Sequence, residues 1–231
     1  MKIIRSKASL GGMTDLKLVL FDCDGVLVDS EMIASRELAA YLAEQGIAIS
    51  PEESRKRFTG CSLKTVHDKI ETEDGVTLPT TFEEDLRARD RAAFERDLKP
   101  IPGVRQVLER LTIAKCVASS GSPEKIRHSL THTGLIGFFH PHLFSAQNVA
   151  RGKPAPDLFL WAANEMNADP KRCLVIEDSP VGIEAALAAG MQVIGFSGGS
   201  HCGDGYAARL KQAGATVVCE TMNDIGKRLT D

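Results

Sequence analysis

Hydrophobic positions along this chain follow two rhythms. Between Ser30 and Leu98 they recur at helical spacing, and no strand pattern is visible. Met32, Leu38 and Leu42, with neighbouring alanines, predict a helix that stops at Gly46. Ser50-Pro51-Glu52-Glu53 predicts a second helix start, with Ser50 as the cap and proline in first position. Ser62 precedes a third segment, Leu63 to Ile70, and Phe82 to Leu98 forms a charge-rich fourth. Pro100 and Pro102-Gly103 then mark a boundary.

Outside this stretch the rhythm alternates. Leu18 to Phe21 is a short apolar run bounded by a turn signal, as a buried parallel strand should be. After Gly103 the chain predicts helix Val104–Leu111, strand Cys116–Ser119, helix Pro123–Thr133 and a short strand Leu143–Ser145. Helix Pro156–Met166, strand Cys173–Glu177, helix Pro180–Ala189, strand Gln192–Phe196, helix Tyr206–Ala213 and strand Thr216–Cys219 follow. This order predicts an α/β class: a Rossmann-like parallel sheet with helices on both faces, plus an inserted all-helical cap domain. The expected division is residues 1–29 and 100–231 for the α/β core domain and residues 30–99 for the cap domain. Two chain crossings between them imply a cap that hinges over the strand ends.

Composition changes this picture little. The 231 residues are 43% hydrophobic and 26% charged, enough for one large domain or two modest ones. A net charge of −3 gives no reason to expect nucleic acid as a partner. No run approaches the roughly 18–20 apolar residues that span a bilayer, so no membrane association is expected. Cys23, Cys61, Cys116, Cys173, Cys202 and Cys219 are scattered without a Cys-x-x-Cys pair, which suits a reduced, cytoplasmic setting. Met1 to Leu10 lacks the apolar core of a signal peptide and reads as a frayed extension, with Met13 as an alternative start. A monomer is the default expectation at this size.

Candidate chemistry collects at predicted strand ends, where open α/β sheets bind their ligands. The first strand runs into Asp22 and Asp24, one residue apart, followed at once by Gly25. The second ends in Ser119 and Ser120, and the strand from Cys173 ends in Glu177 and Asp178. Between these lies Lys153, inside Gly152-Lys153-Pro154 ahead of a proline-started helix. Asp22, Glu177 and Asp178 offer hard oxygen ligands suited to Mg²⁺, which commonly accompanies a phosphate substrate. Lys153, Ser119 and backbone N–H groups can hold phosphate oxygens. A carboxylate can itself attack phosphorus, and a second carboxyl two residues on can serve the leaving oxygen as acid and then water as base.

Asp22-Cys23-Asp24-Gly25-Val26 resembles the first motif of the haloacid dehalogenase superfamily. Ser119 matches the hydroxyl of its second motif, Lys153 the lysine of its third, and Glu177-Asp178 the acidic pair of its fourth, in matching order and spacing. The resemblance runs from about Leu18 to Phe196 and includes the helical insertion, which is similar to the family's α-helical cap. It implies that Asp22 is the nucleophile and a Mg²⁺ ligand. It implies that Asp24 is the acid and base, with its backbone carbonyl on the metal. Ser119, Ser120 and Lys153 become the phosphate-binding set, and Glu177 and Asp178 complete the metal set. Dehalogenases of the superfamily lack the second aspartate, so Asp24 points to phosphoryl chemistry.

The cap resembles those of β-phosphoglucomutases and small sugar phosphatases. Ala34 stands where the mutases carry a histidine, and Leu63, after Gly60-Cys61-Ser62, where they carry an arginine for a second phosphate. The resemblance therefore implies a Mg²⁺-dependent phosphatase of a small phosphate ester, a sugar or sugar-acid phosphate such as 6-phosphogluconate, acting through an aspartyl-phosphate. A phosphosugar mutase is the first alternative and a non-catalytic phosphosugar-binding protein the second. Arg36, Arg89 and Arg91 are candidate contacts for an acidic substrate. His140-Pro141-His142 and Ser197-Gly198-Gly199-Ser200 read as ordinary loops, and Asp29 as a brace for the turn after the first strand.

Overall fold

The computed structural model describes residues 15–59 and 61–230. The expectations about Met1–Leu10 and Met13 fall outside this range. Six parallel strands form one sheet in the order β3-β2-β1-β4-β5-β6. They are β1 (Leu18–Phe21), β2 (Ala114–Ser119), β3 (Leu143–Ser145), β4 (Cys173–Glu177), β5 (Gln192–Phe196) and β6 (Val217–Cys219). The strand order reverses direction between β1 and β4, so the crevice beyond their carboxyl ends is the topological switch point.

Period-two alternation sorts the strand residues into two cores. Val19, Phe21, Val117, Leu174 and Ile176 face one apolar layer, while Leu18, Leu20, Cys116 and Val175 face the other. The first layer is closed by α5 (Val104–Arg110), α6 (Pro123–His132) and α10 (Met222–Thr230), through Leu108, Leu130 and Ile225. The second is closed by α7 (Asp157–Glu165), α8 (Pro180–Ala188) and α9 (Tyr206–Gln212), through Phe159, Ile183 and Leu210. Both faces of β1 and β4 are covered, which is why these strands read as unbroken apolar runs.

Between β1 and β2 stands the helical insertion: α1 (Glu31–Glu44), α2 (Pro51–Phe58), α3 (Leu63–Lys69) and α4 (Phe82–Asp97). It has its own apolar cluster, including Leu38, Leu42, Phe58, Val66, Ile70 and Leu86. Its two ends are anchored differently, since Ile33 at the start of α1 and Phe94 and Leu98 around the end of α4 join the sheet's first layer. Ser50 forms the expected cap and completes a capping box with Glu53. Gly46 takes the left-handed conformation just beyond α1.

Besides one-residue shifts at element ends and the short 3-10 turns Ile136–Phe138, Ala146–Asn148 and Pro170–Arg172, three elements depart from the sequence expectations. Helix α10 was not anticipated; Met222 and Ile225 are fully buried one helical turn apart, a spacing too short to stand out from the surrounding polar residues. The helix expected to end at Ile70 continues as a π-helical turn, Ile70–Asp74, stopped by the left-handed Gly75. Strand β2 begins two residues early, at Ala114, because Lys115 there pairs in register with Val19.

Candidate active site

Register brings the chemistry together. Phe21 is level with Val117 on one side and Ile176 on the other, so Asp22, Ser119 and Glu177 emerge at the same edge. The Asp22 N–H continues the ladder onto the Ile176 carbonyl at 3.0 Å. Beyond this edge lies a cavity of about 750 Å³, floored by the strand ends and roofed by the insertion. Asp22, Asp24, Ser119, Ser120, Lys153, Glu177 and Asp178 all line it.

Lys153 is the electrostatic hub. Its Nζ donates to Asp22 Oδ1 at 2.7 Å, Glu177 Oε1 at 2.7 Å and the Ala118 carbonyl at 3.1 Å, from a side chain only 3% exposed. Burial disfavours the ammonium, but the carboxylates of Asp22 and Glu177 outweigh desolvation, raise its pKa and keep it charged. One ammonium is too little for three acids. Asp22 is pushed well above the usual carboxylate range by burial, only partly relieved by Lys153 and aggravated by Glu177 and Asp178. Burial and then repulsion from Glu177 raise Asp178 in the same way.

Among the described residues, one group of three or more metal-suitable side chains is found: Asp22, Glu177 and Asp178, with candidate ligand oxygens within 4.8 Å of one another. Three buried carboxylates against one ammonium leave an excess of two negative charges, which a divalent cation cancels. The donors are all hard oxygens, so the site fits Mg²⁺ in chemistry as well as charge. His140 and His142 take no part in this cluster. Close packing enforces it: Gly182, in the first turn of α8, approaches Glu177 so nearly that a Cβ would overlap the carboxylate. Glu177 Oε2 also accepts from the Ser179 N–H at 2.8 Å and the Ser179 hydroxyl at 2.9 Å.

Asp24 is held differently. Burial pushes its carboxyl up, but Lys125 and the Ser30 hydroxyl outweigh this and lower it. Lys125 Nζ lies 3.0 Å from Asp24 Oδ2, and Ser30 Oγ donates to Oδ1 at 2.6 Å. Neither partner was anticipated from the sequence. Lys125 stands 101 residues away and is brought in by the first turn of α6, which Ser122 caps. Ser119 is not free, as its hydroxyl accepts from the Gly121 N–H at 3.1 Å; its own hydrogen remains to donate.

On the roof, Ala34 and Leu63 line the cavity as apolar groups. Arg91 lines it too. Arg89 instead clasps Glu44 at 2.9 and 2.5 Å, and Arg36 reaches Asp97 at 3.4 Å, both outside the cavity lining. Glu31 and Asp90, which the sequence did not single out, also face the cavity, and burial raises each to about 7. The Asp29 carboxylate reaches a different loop: Oδ1 accepts from the N–H and hydroxyl of Ser200, tying down the loop after β5.

Comparison with known proteins agrees with this geometry. A family model for haloacid dehalogenase-like hydrolases matches residues 16–190. The chain is 38% identical over 190 residues to the 6-phosphogluconate phosphatase of Escherichia coli K12, covering 82% of this chain and 86% of that protein. Among solved structures, a haloacid dehalogenase-like protein of unknown function from Agrobacterium tumefaciens superposes with a TM-score of 0.83 at 41% identity, covering 93% of this chain and 97% of that one. A HAD family hydrolase from Deinococcus radiodurans with bound phosphate and sodium superposes with a TM-score of 0.75 at 32% identity, covering 91% and 93%. The motifs, the fold and these likenesses agree: the chain belongs to the haloacid dehalogenase-like hydrolase family.

Proposed function

We propose that this protein is a Mg²⁺-dependent phosphatase of a small phosphorylated sugar or sugar acid, with 6-phosphogluconate as the leading substrate, acting through an aspartyl-phosphate on Asp22. The observation that carries this reading is the meeting of Asp22, Asp24, Lys153, Glu177 and Asp178 in one roofed cavity. Asp22, Glu177 and Asp178 would hold the metal, which supplies positive charge to the phosphate and to the acids around it.

An Asp22 carboxylate oxygen attacks phosphorus, and the bond to the ester oxygen breaks. Asp24 gives its proton to that leaving oxygen. Lys153 aims Asp22 and offsets part of the cost of ionising it, while Ser119, Ser120 and nearby backbone N–H groups hold the other phosphate oxygens. Water then attacks the acyl phosphate, Asp24 takes its proton, and phosphate leaves with Asp22 restored. Lys125 and Ser30 favour the ionised form of Asp24, which the second step needs. A phosphate dianion entering nearby competes for that ammonium and raises the proton affinity of Asp24 for the first.

The reading includes a core of residues 1–29 and 100–231 and a cap of residues 30–99, supported by the separate apolar cluster of the insertion. The name of the Escherichia coli relative supports the substrate, and Arg91 offers a cation to a carboxylate at the far end of it. Ala34 and Leu63 put apolar side chains at the two cavity positions where the mutase resemblance calls for a histidine and an arginine. The test is phosphate release from a panel of sugar and sugar-acid phosphates, with p-nitrophenyl phosphate as a general ester, in Mg²⁺ or in EDTA. Metal-dependent release, greatest for 6-phosphogluconate and abolished by Asp22→Asn, is expected. Asp24→Asn should lower kcat by about 10²–10⁴-fold. Turnover surviving Asp22→Asn overturns the covalent route. Conversion of β-glucose 1-phosphate to glucose 6-phosphate favours the mutase, and silence on every ester favours a binding protein.

A further inference from the structure

The loop after β5 delivers a histidine to the metal cluster. His201 is completely buried, and its Nε2 lies 3.0 Å from Asp178 Oδ2. The ring is wedged between two backbones: a Cβ on Gly25 or on Gly199 would collide with it. Its other nitrogen, Nδ1, is buried with no hydrogen-bond partner. With Asp178 ionised, Nε2 carries the hydrogen and Nδ1 is a bare acceptor, the cheaper of the two atoms to leave unpaired. Nε2 also lies 3.3 Å from Cys202 Sγ, so the imidazole meets both the thiol and one oxygen of Asp178 through this one nitrogen.

The same residue is gripped from the insertion. Arg55 of α2 donates from its guanidinium to the His201 carbonyl at 2.6 Å. That guanidinium is itself braced by Glu52, at 3.1 and 2.5 Å, and its side chain is only 10% exposed. Ser200, one residue earlier, is pinned by Asp29. A charge-assisted bond from the roof thus ends on the backbone of the residue whose ring steadies a metal ligand.

We propose that His201 is a positioning residue for the metal ligand Asp178, and that Arg55 makes its hold depend on the helical insertion being seated against the core. His201 has this role only if Asp178 ligates Mg²⁺, as proposed above. Partners that orient metal ligands typically account for about 10- to 100-fold in metal affinity. By linkage, if a seated roof tightens Mg²⁺ binding, Mg²⁺ must favour the seated roof by the same factor.

The test is Mg²⁺ titration of the full chain by isothermal titration calorimetry, with no substrate present. His201→Leu keeps most of the volume and removes the donor, and should weaken Mg²⁺ by about 10- to 100-fold. His201→Gln restores an N–H at nearly the same reach and should recover most of that loss, which a merely space-filling role would not produce. Arg55→Ala should weaken Mg²⁺ several-fold and, unlike the wild type, show no Mg²⁺-dependent protection of the insertion from proteolysis. Should His201→Leu fail to fold, the Gln and Arg55 variants carry the decision. Wild-type affinity in both Arg55→Ala and His201→Leu overturns the proposal, as does, where the Leu variant does not fold, wild-type affinity in Arg55→Ala together with a His201→Gln variant that binds Mg²⁺ about 10- to 100-fold more weakly than the wild type. A wild-type chain that binds no Mg²⁺ overturns the metal site and this role together.

Discussion

Charge at the site is decided residue by residue. Lys153 offsets part of a three-acid cluster, and Lys125 with Ser30 fixes the state of Asp24. Asp22, Asp24, Lys153, Glu177 and Asp178 were legible because each sits in a short motif with matching neighbours. Lys125, His201 and Asp90 were not, since an isolated lysine, histidine or aspartate carries no motif; only the fold shows what it touches. Asp90 makes a clean test of burial. Its carboxyl is pushed from an ordinary 3.8 to about 7, chiefly by desolvation, and its Oδ1 has no hydrogen-bond partner. A raised carboxyl pKa means that stability is full below the unfolded value and falls as pH rises towards the folded one. Asp90→Asn should therefore match the wild type near pH 4. By pH 8 it should be more stable by about 1–2 kcal/mol, after allowance for partial exposure. Thermal unfolding at the two pH values checks this, and equal gains at both would remove burial as the cause.

At the scale of elements, two helices of the core, α6 and α8, meet the site through their first turns. Ser122 starts α6 and so places Lys125, while Ser179 starts α8 and accepts from the Gly182 N–H at 3.1 Å. Gly182 shows how local and tertiary preferences compete. Alanine is the better helix former by about 1 kcal/mol, which alone predicts a more stable variant. Its Cβ, however, would overlap the Glu177 carboxylate, which cannot retreat from Lys153 and Ser179 without giving up its bonds. Gly182→Ala should consequently weaken Mg²⁺ by about 10- to 100-fold, read by calorimetry, with the far-ultraviolet circular dichroism unchanged. Strands and most helices were visible in the apolar rhythm. The short helix α10 and the π-helical turn after α3 were not, because their stability comes from packing of Met222, Ile225 and Ile70 rather than from local pattern.

For the whole molecule, the proposed metal would couple site to fold. Repulsion among Asp22, Glu177 and Asp178 opposes the native state, and a bound divalent ion relieves it. At about 100 times its dissociation constant, Mg²⁺ should add about 2.7 kcal/mol to stability. For a chain of this size that corresponds to a Tm about 5–10 °C higher than in EDTA. A Tm indifferent to Mg²⁺ would contradict the metal site. The insertion shares in this, since its own core stands apart while Ile33, Phe94 and Leu98 anchor its ends in the sheet's first layer. No helix among the described residues is long and apolar enough to cross a membrane.

The amino-acid order by itself determined the alternation of strands and helices, the place of the insertion and five of the charged groups of the site. Those features are local: a periodicity, a cap, or two acids beside a glycine. Only the tertiary structure decided which charges meet. Sheet order and register set β1 between β2 and β4, and that placement sets Lys153 between Asp22 and Glu177. Loop packing pressed His201 onto Asp178 and put Arg55 on its carbonyl. Coulomb and hydrogen-bond energies depend on distances of a few ångströms between residues that stand from 24 to 131 positions apart around Lys153 alone, and no spacing along the chain encodes those distances.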